Sequence, residues 1–343
     1  MRAAVLWEGG RFTVEALRDP SPAPNEVVVR VDRCGICGTD VHQAVSPHVP
    51  IPEGGVVMGH EVAGEVVAAG GEAGAHLLGT RVAVEHLLAC RRCPLCREGR
   101  VNLCPDRTYY LGQDIPGGYA EYVTVDARMC VVVDQDLAIE LVAMIEPLAV
   151  AEHAVSRAAV APWWQVAVLG AGPIGMLCII VLRATGVDAV LASDLSEARR
   201  QLASAVGADR VVDPRAADLR EEAAALGSPL GFDCVFDCTG RPEVLAQAMD
   251  VVRPGGTVMM VGGGTLPFEL QPSRAIRKEL VIKSSLAYND YDQAQVILAA
   301  HPEPVAALLG GTCGLDDVGP AIERLATDPR VGKILVAPGA VAS

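Results

Sequence analysis

Two short stretches place metal-binding side chains beside hydroxyl and carboxyl groups: Cys37-Gly38-Thr39-Asp40-Val41-His42 and Gly59-His60-Glu61. Cys37 can supply a thiolate and His60 an imidazole, and either Glu61 or Glu146 can complete a three-ligand zinc site. Such a site leaves one tetrahedral position open, and zinc there lowers the pKa of a bound O–H. Read singly, these residues also have plainer roles. Thr39 can be a turn hydroxyl, Asp40 a cap and His42 a surface side chain, and a lone Cys or His is more often structural than ligating.

A second constellation is closed. Cys90, Cys93, Cys96 and Cys104 follow C-x2-C-x2-C-x7-C. Short loops let successive sulfurs converge on tetrahedral zinc, and four protein ligands leave no position for substrate. This site therefore ties a loop together while bond chemistry happens elsewhere. Four thiolates around Zn²⁺ leave a formal charge of −2, which Arg91, Arg92, Arg97 and Arg100 can offset. An iron–sulfur cluster is the rival occupant, but nothing else in the sequence suggests electron transfer.

The third constellation is Gly170-Ala171-Gly172-Pro173-Ile174-Gly175, a G-x-G-x-x-G turn. An apolar strand, Gln165 to Leu169, runs into it, and a helix is expected to start at Gly175. Gly170 permits the tight turn, Gly172 lets the backbone approach a pyrophosphate, and Gly175 lets the helix pack on the sheet. The helix N-terminus supplies free N–H groups and partial positive charge for the phosphates. Asp194 ends the next strand, where a carboxylate accepts hydrogen bonds from ribose hydroxyls and repels a 2′-phosphate. This favours NAD, although Arg199 and Arg200 nearby keep NADP open.

These residues need a scaffold. From residue 1 to about 125 the chain alternates in β fashion through RFTVEAL, EVVVRVD, HEVAGEVVAAG, TRVAVEH and YAEYVTVD. From about 154, strands WQVAVLG, DAVLASD, DRVVD, FDCVFDCTG, GGTVMMVG and LVIKSSL are separated by helical runs. That rhythm predicts a parallel sheet covered by helices on both faces. After about Tyr288 it lapses into a helix around AIERLATD and a strand KILVAP, read as returning to the first domain. Half of the 343 residues are apolar and 35 are Gly, enough for two strand-rich cores with many turns. The net charge of −14 and the lack of a basic stripe argue against nucleic acid. The stretch VAVLGAGPIGMLCIIVL falls short of the roughly 20 apolar residues a membrane span needs. With no signal-peptide layout, a cytoplasmic location is expected, where close cysteines bind metal rather than pair.

CGICGTDVH, GHEVAGEVV, the four-cysteine loop, EPLAVAEHAV and GAGPIG, in this order and spanning essentially the whole chain, resemble the zinc-dependent medium-chain dehydrogenases/reductases of the alcohol dehydrogenase superfamily. The likeness is greatest to their sorbitol, butanediol and threonine dehydrogenase branch. It implies an α/β chain: a GroES-like mostly-β catalytic domain (1–153), a Rossmann doubly wound parallel-sheet domain (154–288), and a return segment (289–343) completing the first. It implies two Zn²⁺ per chain, one catalytic and one structural, and NAD. Cys37 and His60 resemble the catalytic ligands. Glu61 resembles a carboxylate on the metal or just behind it, and Glu146 one that binds directly or through water. Thr39 resembles the hydroxyl that takes the substrate proton, His42 the end of its relay to solvent, and Asp40 the carboxylate that orients the zinc-bound histidine.

Gly38 stands where classical alcohol dehydrogenases often carry a basic residue on the cofactor phosphates. Lys333 is a candidate for that contact. His48, Tyr110 and Gln113 are expected to line the pocket and to suit a polyol, cyclitol or sugar-derived secondary alcohol, oxidised to a ketone. The alternatives are a biosynthetic ketone reductase using NADPH and a non-catalytic NAD-binding scaffold. The resemblance further implies a homodimer or homotetramer joined along edge strands such as GGTVMMVG and LVIKSSL, with no nucleic-acid or membrane partner.

Overall fold

The computed structural model describes residues 1–47, 49–264, 266–288, 291–328 and 330–339. The chain divides into two compact units. One comprises Met1–Glu146, Asn289–Gln295 and Leu309–Ser343; the other comprises Pro147–Tyr288 and Val296–Leu308. The segment expected to return as one piece is thus shared, with Val296–Leu308 belonging to the second unit.

The first unit opens with the hairpin β1 (Arg2–Trp7) and β2 (Arg11–Ala16), followed by β3 (Glu26–Gly35), β4 (Val56–Val57), β5 (Glu61–Ala69), β6 (Arg81–Val84), β7 (Tyr122–Asp126) and β8 (Cys130–Val132). The second contains β9 (Gln165–Leu169), β10 (Ala189–Ser193), β11 (Arg210–Val212), β12 (Phe232–Asp237), β13 (Val252–Met260) and β14 (Val281–Ser284). The chain then gives β15 (Leu309–Cys313) and β16 (Lys333–Val336) back to the first unit.

β3 organises the first unit. It pairs with β5, β7 and β16, all antiparallel, and Val27, Val28, Val29 and Val31 are buried. A strand with neighbours on both edges and cover on both faces favours consecutive β-branched residues over alternation. Its register with β5 sets Gly35 opposite Glu61 and Cys34 opposite Val62. The end of β3 therefore lies beside the start of β5. Cys37, just past the first, and His60, just before the second, become neighbours although 23 positions apart. β16 joins the same end, with Leu335 opposite Gly35.

In the second unit the order β11-β10-β9-β12-β13-β14 is parallel throughout. Strand order reverses between β9 and β12, the position where doubly wound sheets bind ligands beyond their carboxyl ends. The helix Pro173–Ala184 leaves β9 there. Its residues Gly175 to Leu182 are all buried, which accounts for the apolar run without any membrane. Among the described residues no helix is long and apolar enough to cross a bilayer.

Candidate active site

Cys37 caps the helix Gly38–Val45, and that helix carries Thr39 and His42 exposed and Asp40 buried. One ligand atom each from Cys37, His60 and Glu61 lies within 4.8 Å of the others. Glu61 is 1 % exposed. Its Oε1 accepts from the Lys333 ammonium, while its Oε2 is buried without a hydrogen-bond partner. Gly35 makes room for this carboxylate, since a Cβ there would stand 1.8 Å from Oε2. A thiol, an imidazole and a buried carboxylate oxygen lacking a partner are a donor set that fits zinc. The electrostatics agree. Burial opposes protonation of His60, yet Cys37, Asp40 and Glu146 outweigh it and raise its pKa well above the ordinary value. Burial also raises Glu61, against the pull of Lys333. Converging anionic donors call for positive charge, which a divalent ion would supply.

Lys333 departs from expectation. It is 4 % exposed, at the start of β16, and its ammonium is held by Glu61 rather than presented to a phosphate. Pairing is what makes a buried ammonium tolerable.

Asp40 Oδ2 accepts the Cys37 N–H at 2.8 Å and the Tyr119 hydroxyl at 2.6 Å, and Oδ1 lies 3.7 Å from His60 Nδ1. Glu146, in the helix Ile145–Ala158, is outside the three-residue cluster; its Oε1 is 3.2 Å from His86 Nδ1. The His86 ring lies 5.5 Å from that of His60 and stacks on Tyr110 at 5.5 Å, and the Arg107 guanidinium caps Tyr110 at 4.5 Å. Tyr110 is half-buried and Gln113 exposed; His48 lies outside the described residues. Sequence reasoning missed His86 and Tyr119. His86 reads as the end of a strand and Tyr119 as an ordinary aromatic, and no ligand spacing marks either.

The four cysteines converge, with every sulfur within 4.8 Å of the others. Sulfurs at zinc–sulfur distances of 2.3 Å in a tetrahedron are about 3.8 Å apart. Here Cys90–Cys96 and Cys93–Cys104 are each separated by 4.0 Å. Charge compensation is more local than arginines alone. The Cys93, Cys96 and Cys90 amides donate to the sulfurs of Cys90, Cys93 and Cys104 at 3.3, 3.5 and 3.4 Å. Arg91 instead binds Glu85 at 3.0 Å.

In the second unit, Gly170 has φ +93°, and a Cβ there would meet Thr239 Cγ2 at 2.5 Å. At Gly172 the corresponding space is open, and at Gly175 a Cβ would lie 2.0 Å from the Gly170 oxygen. The helix begins at Pro173, two residues earlier than expected, because proline suits the first helical turn. Ile174 follows within that turn. Gly172 caps the helix without a side-chain bond, leaving amides for an anion. Asp194 accepts the Ala171 N–H at 3.0 Å and the Ser196 N–H at 2.8 Å, and Arg199 stands 3.8 Å away.

Residues 23–135 match the alcohol dehydrogenase GroES-like domain, and residues 173–300 match the zinc-binding dehydrogenase family. Sorbitol dehydrogenase of Bacillus subtilis is 32 % identical over 264 residues, 76 % of this chain and 75 % of that protein. The chain belongs to the zinc-dependent medium-chain dehydrogenases/reductases. Among solved structures of this family, 2R,3R-butanediol dehydrogenase of Bacillus subtilis superposes with a TM-score of 0.89 at 31 % identity, covering 98 % of this chain and 99 % of that one. A Sinorhizobium meliloti protein described as a zinc-binding dehydrogenase and bound to NADP gives a TM-score of 0.90 at 32 % identity, with 98 % and 99 % covered. This dehydrogenase is thus an oxidoreductase of the zinc alcohol and polyol dehydrogenase type, with zinc and a nicotinamide nucleotide as cofactors. Its fold is a GroES-like domain joined to a nucleotide-binding α/β domain with a parallel sheet.

Proposed function

We propose that this enzyme oxidises a secondary alcohol of polyol, cyclitol or sugar-derived type to a ketone with NAD⁺, using two zinc ions per chain. The convergence of Cys37, His60 and Glu61 carries the reading: three donors, two of them at the ends of adjacent strands. When bound, zinc would acidify the substrate hydroxyl and the nicotinamide would accept its hydride. Cys37, His60 and Glu61 would hold the metal, while Glu146 rests on His86. Asp40 faces His60 Nδ1 and would leave Nε2 for the metal. Thr39 takes the substrate proton and His42 passes it to solvent; the exposure of both supports this. Cys90, Cys93, Cys96 and Cys104 hold the second, closed zinc.

Gly170, Gly172, Pro173, Ile174 and Gly175 would hold the cofactor phosphates, and Asp194 would accept hydrogen bonds from its ribose hydroxyls. The carboxylate beside Ala171 supports NAD over NADP, with Arg199 near enough to touch the same ribose. Tyr110 and Gln113 supply polar contacts to the substrate, and the sorbitol and butanediol specificities of relatives support a vicinal hydroxyl. The domains proposed are 1–153, 154–288 and a return segment 289–343, of which Val296–Leu308 groups with the second unit. We place the enzyme in the cytoplasm, where the six cysteines outside the two zinc sites would stay reduced.

Steady-state assays over a panel of polyols, cyclitols and their ketones, in both directions and with each nucleotide, test the proposal. NAD⁺-dependent ketone formation from a vicinal secondary alcohol is expected. Preference for NADP(H) and ketone reduction would favour the biosynthetic alternative.

A further inference from the structure

We infer that Tyr119 is a positioning residue for the catalytic metal, bracing at once the two loops that carry Cys37 and His60. This rests on reading Cys37, His60 and Glu61 as the zinc site. Tyr119 is fully buried, and its hydroxyl donates to Asp40 Oδ2 at 2.6 Å. The same oxygen accepts the Cys37 N–H at 2.8 Å, and the other Asp40 oxygen lies 3.7 Å from His60 Nδ1. The phenol thus fixes the carboxylate that touches both ligand-bearing loops.

The ring makes the second contact. It packs against Gly59, the residue before His60, where a Cβ would come within 2.5 Å of Cδ1 and 2.7 Å of Cε1. Gly59 has φ +95°, a backbone conformation that glycine adopts without strain. The backbone reinforces the arrangement. Tyr119 N–H donates to the Met58 carbonyl at 2.9 Å, Gly118 N–H to the Gly59 carbonyl at 2.8 Å, and the Tyr119 carbonyl accepts from Ala4 N–H at 2.8 Å. Burial and the nearby Asp40 charge keep the phenol protonated and therefore a donor. A residue that only filled the core would need the ring but no hydroxyl.

Tyr119→Phe separates these roles, because it keeps the ring on Gly59 and removes the hydroxyl, with its short bond to Asp40 and its longer, 3.5 Å contact to the Gly35 carbonyl. Zinc release to a chromogenic chelator is followed in the parent, in Tyr119→Phe, in Asp40→Ala and in the double variant, alongside thermal unfolding. Groups that orient metal ligands typically change metal affinity about 10- to 100-fold. Tyr119→Phe should accordingly release the catalytic zinc about 10-fold faster, with the four-cysteine zinc unchanged, and should shift the visible spectrum of the cobalt-substituted catalytic site. In the Asp40→Ala background the same change should add nothing. Unchanged release and spectrum, equal acceleration at both zincs, or an undiminished effect without Asp40 would each overturn the inference while leaving the zinc site standing. A parent enzyme that holds only the four-cysteine zinc overturns both.

Discussion

At Glu61 one buried carboxylate has its two oxygens in different settings. One oxygen holds the Lys333 ammonium, and the other is free for a metal. Removing its charge should therefore cost more than zinc. Glu61→Gln leaves a buried ammonium unpaired, a change that typically destabilises by 3–5 kcal/mol, roughly. Thermal unfolding should show that loss even in chelator-treated protein, whereas a Tm equal to the parent's would place Lys333 elsewhere. Glu146→Gln should leave the zinc content intact. His42→Ala should slow alcohol oxidation mainly at low pH, where external base is scarce; an unaltered pH–rate profile would remove His42 from the relay. The clustering of Cys37 with His60 and of the four cysteines was legible because ligand chemistry is tied to residue type. The role of Lys333 was not, because a sequence displays its charge without its partner, 272 positions away. His86 and Tyr119 were hidden for the same reason: their neighbours, Glu146 for one and Asp40 and Gly59 for the other, are supplied only by tertiary structure.

Strand pairing does the work at the next scale. The antiparallel register of β3 and β5 brings two ligand loops together, and β16 delivers Lys333 to the same end. β3 and β5 were readable from their valines, and β16 from its apolar Ile334-Leu335-Val336. β15 was not, since Leu309-Gly310-Gly311-Thr312-Cys313 has neither alternation nor bulk and exists as a strand through its pairing with β16. In the nucleotide turn, spacing identified the glycines and geometry separates their duties. Gly175→Ala would force a Cβ to within 2.0 Å of the Gly170 oxygen. It should weaken NAD binding by at least 10-fold and lower the Tm, about the effect of overpacking by 1–3 kcal/mol. Isothermal titration giving the parent Kd would show that the turn relaxes freely.

Across the whole molecule, a net charge of −14 disfavours polyanions and suits a small neutral substrate. The parallel sheet ends at β14, whose Val281 and Ile282 are 43 % and 40 % exposed. An apolar edge strand invites pairing with a second copy, and we propose a homodimer or homotetramer joined there. Ile282→Arg should convert it to smaller species in sedimentation velocity, and an unchanged sedimentation coefficient would locate the interface elsewhere. Two-unit organisation was legible as a change of rhythm near residue 154. The sharing of residues 289–308 between the units was not, because helix Asp292–Ala300 has the same amphipathic pattern whichever core it meets.

The most direct test counts metal. Zinc per chain, measured by inductively coupled plasma mass spectrometry on purified parent and Cys37→Ser protein, should fall from two to one, with loss of nearly all activity. A parent carrying a single zinc, or a Cys37→Ser variant that keeps both along with normal turnover, would contradict an open zinc site built on Cys37, His60 and Glu61.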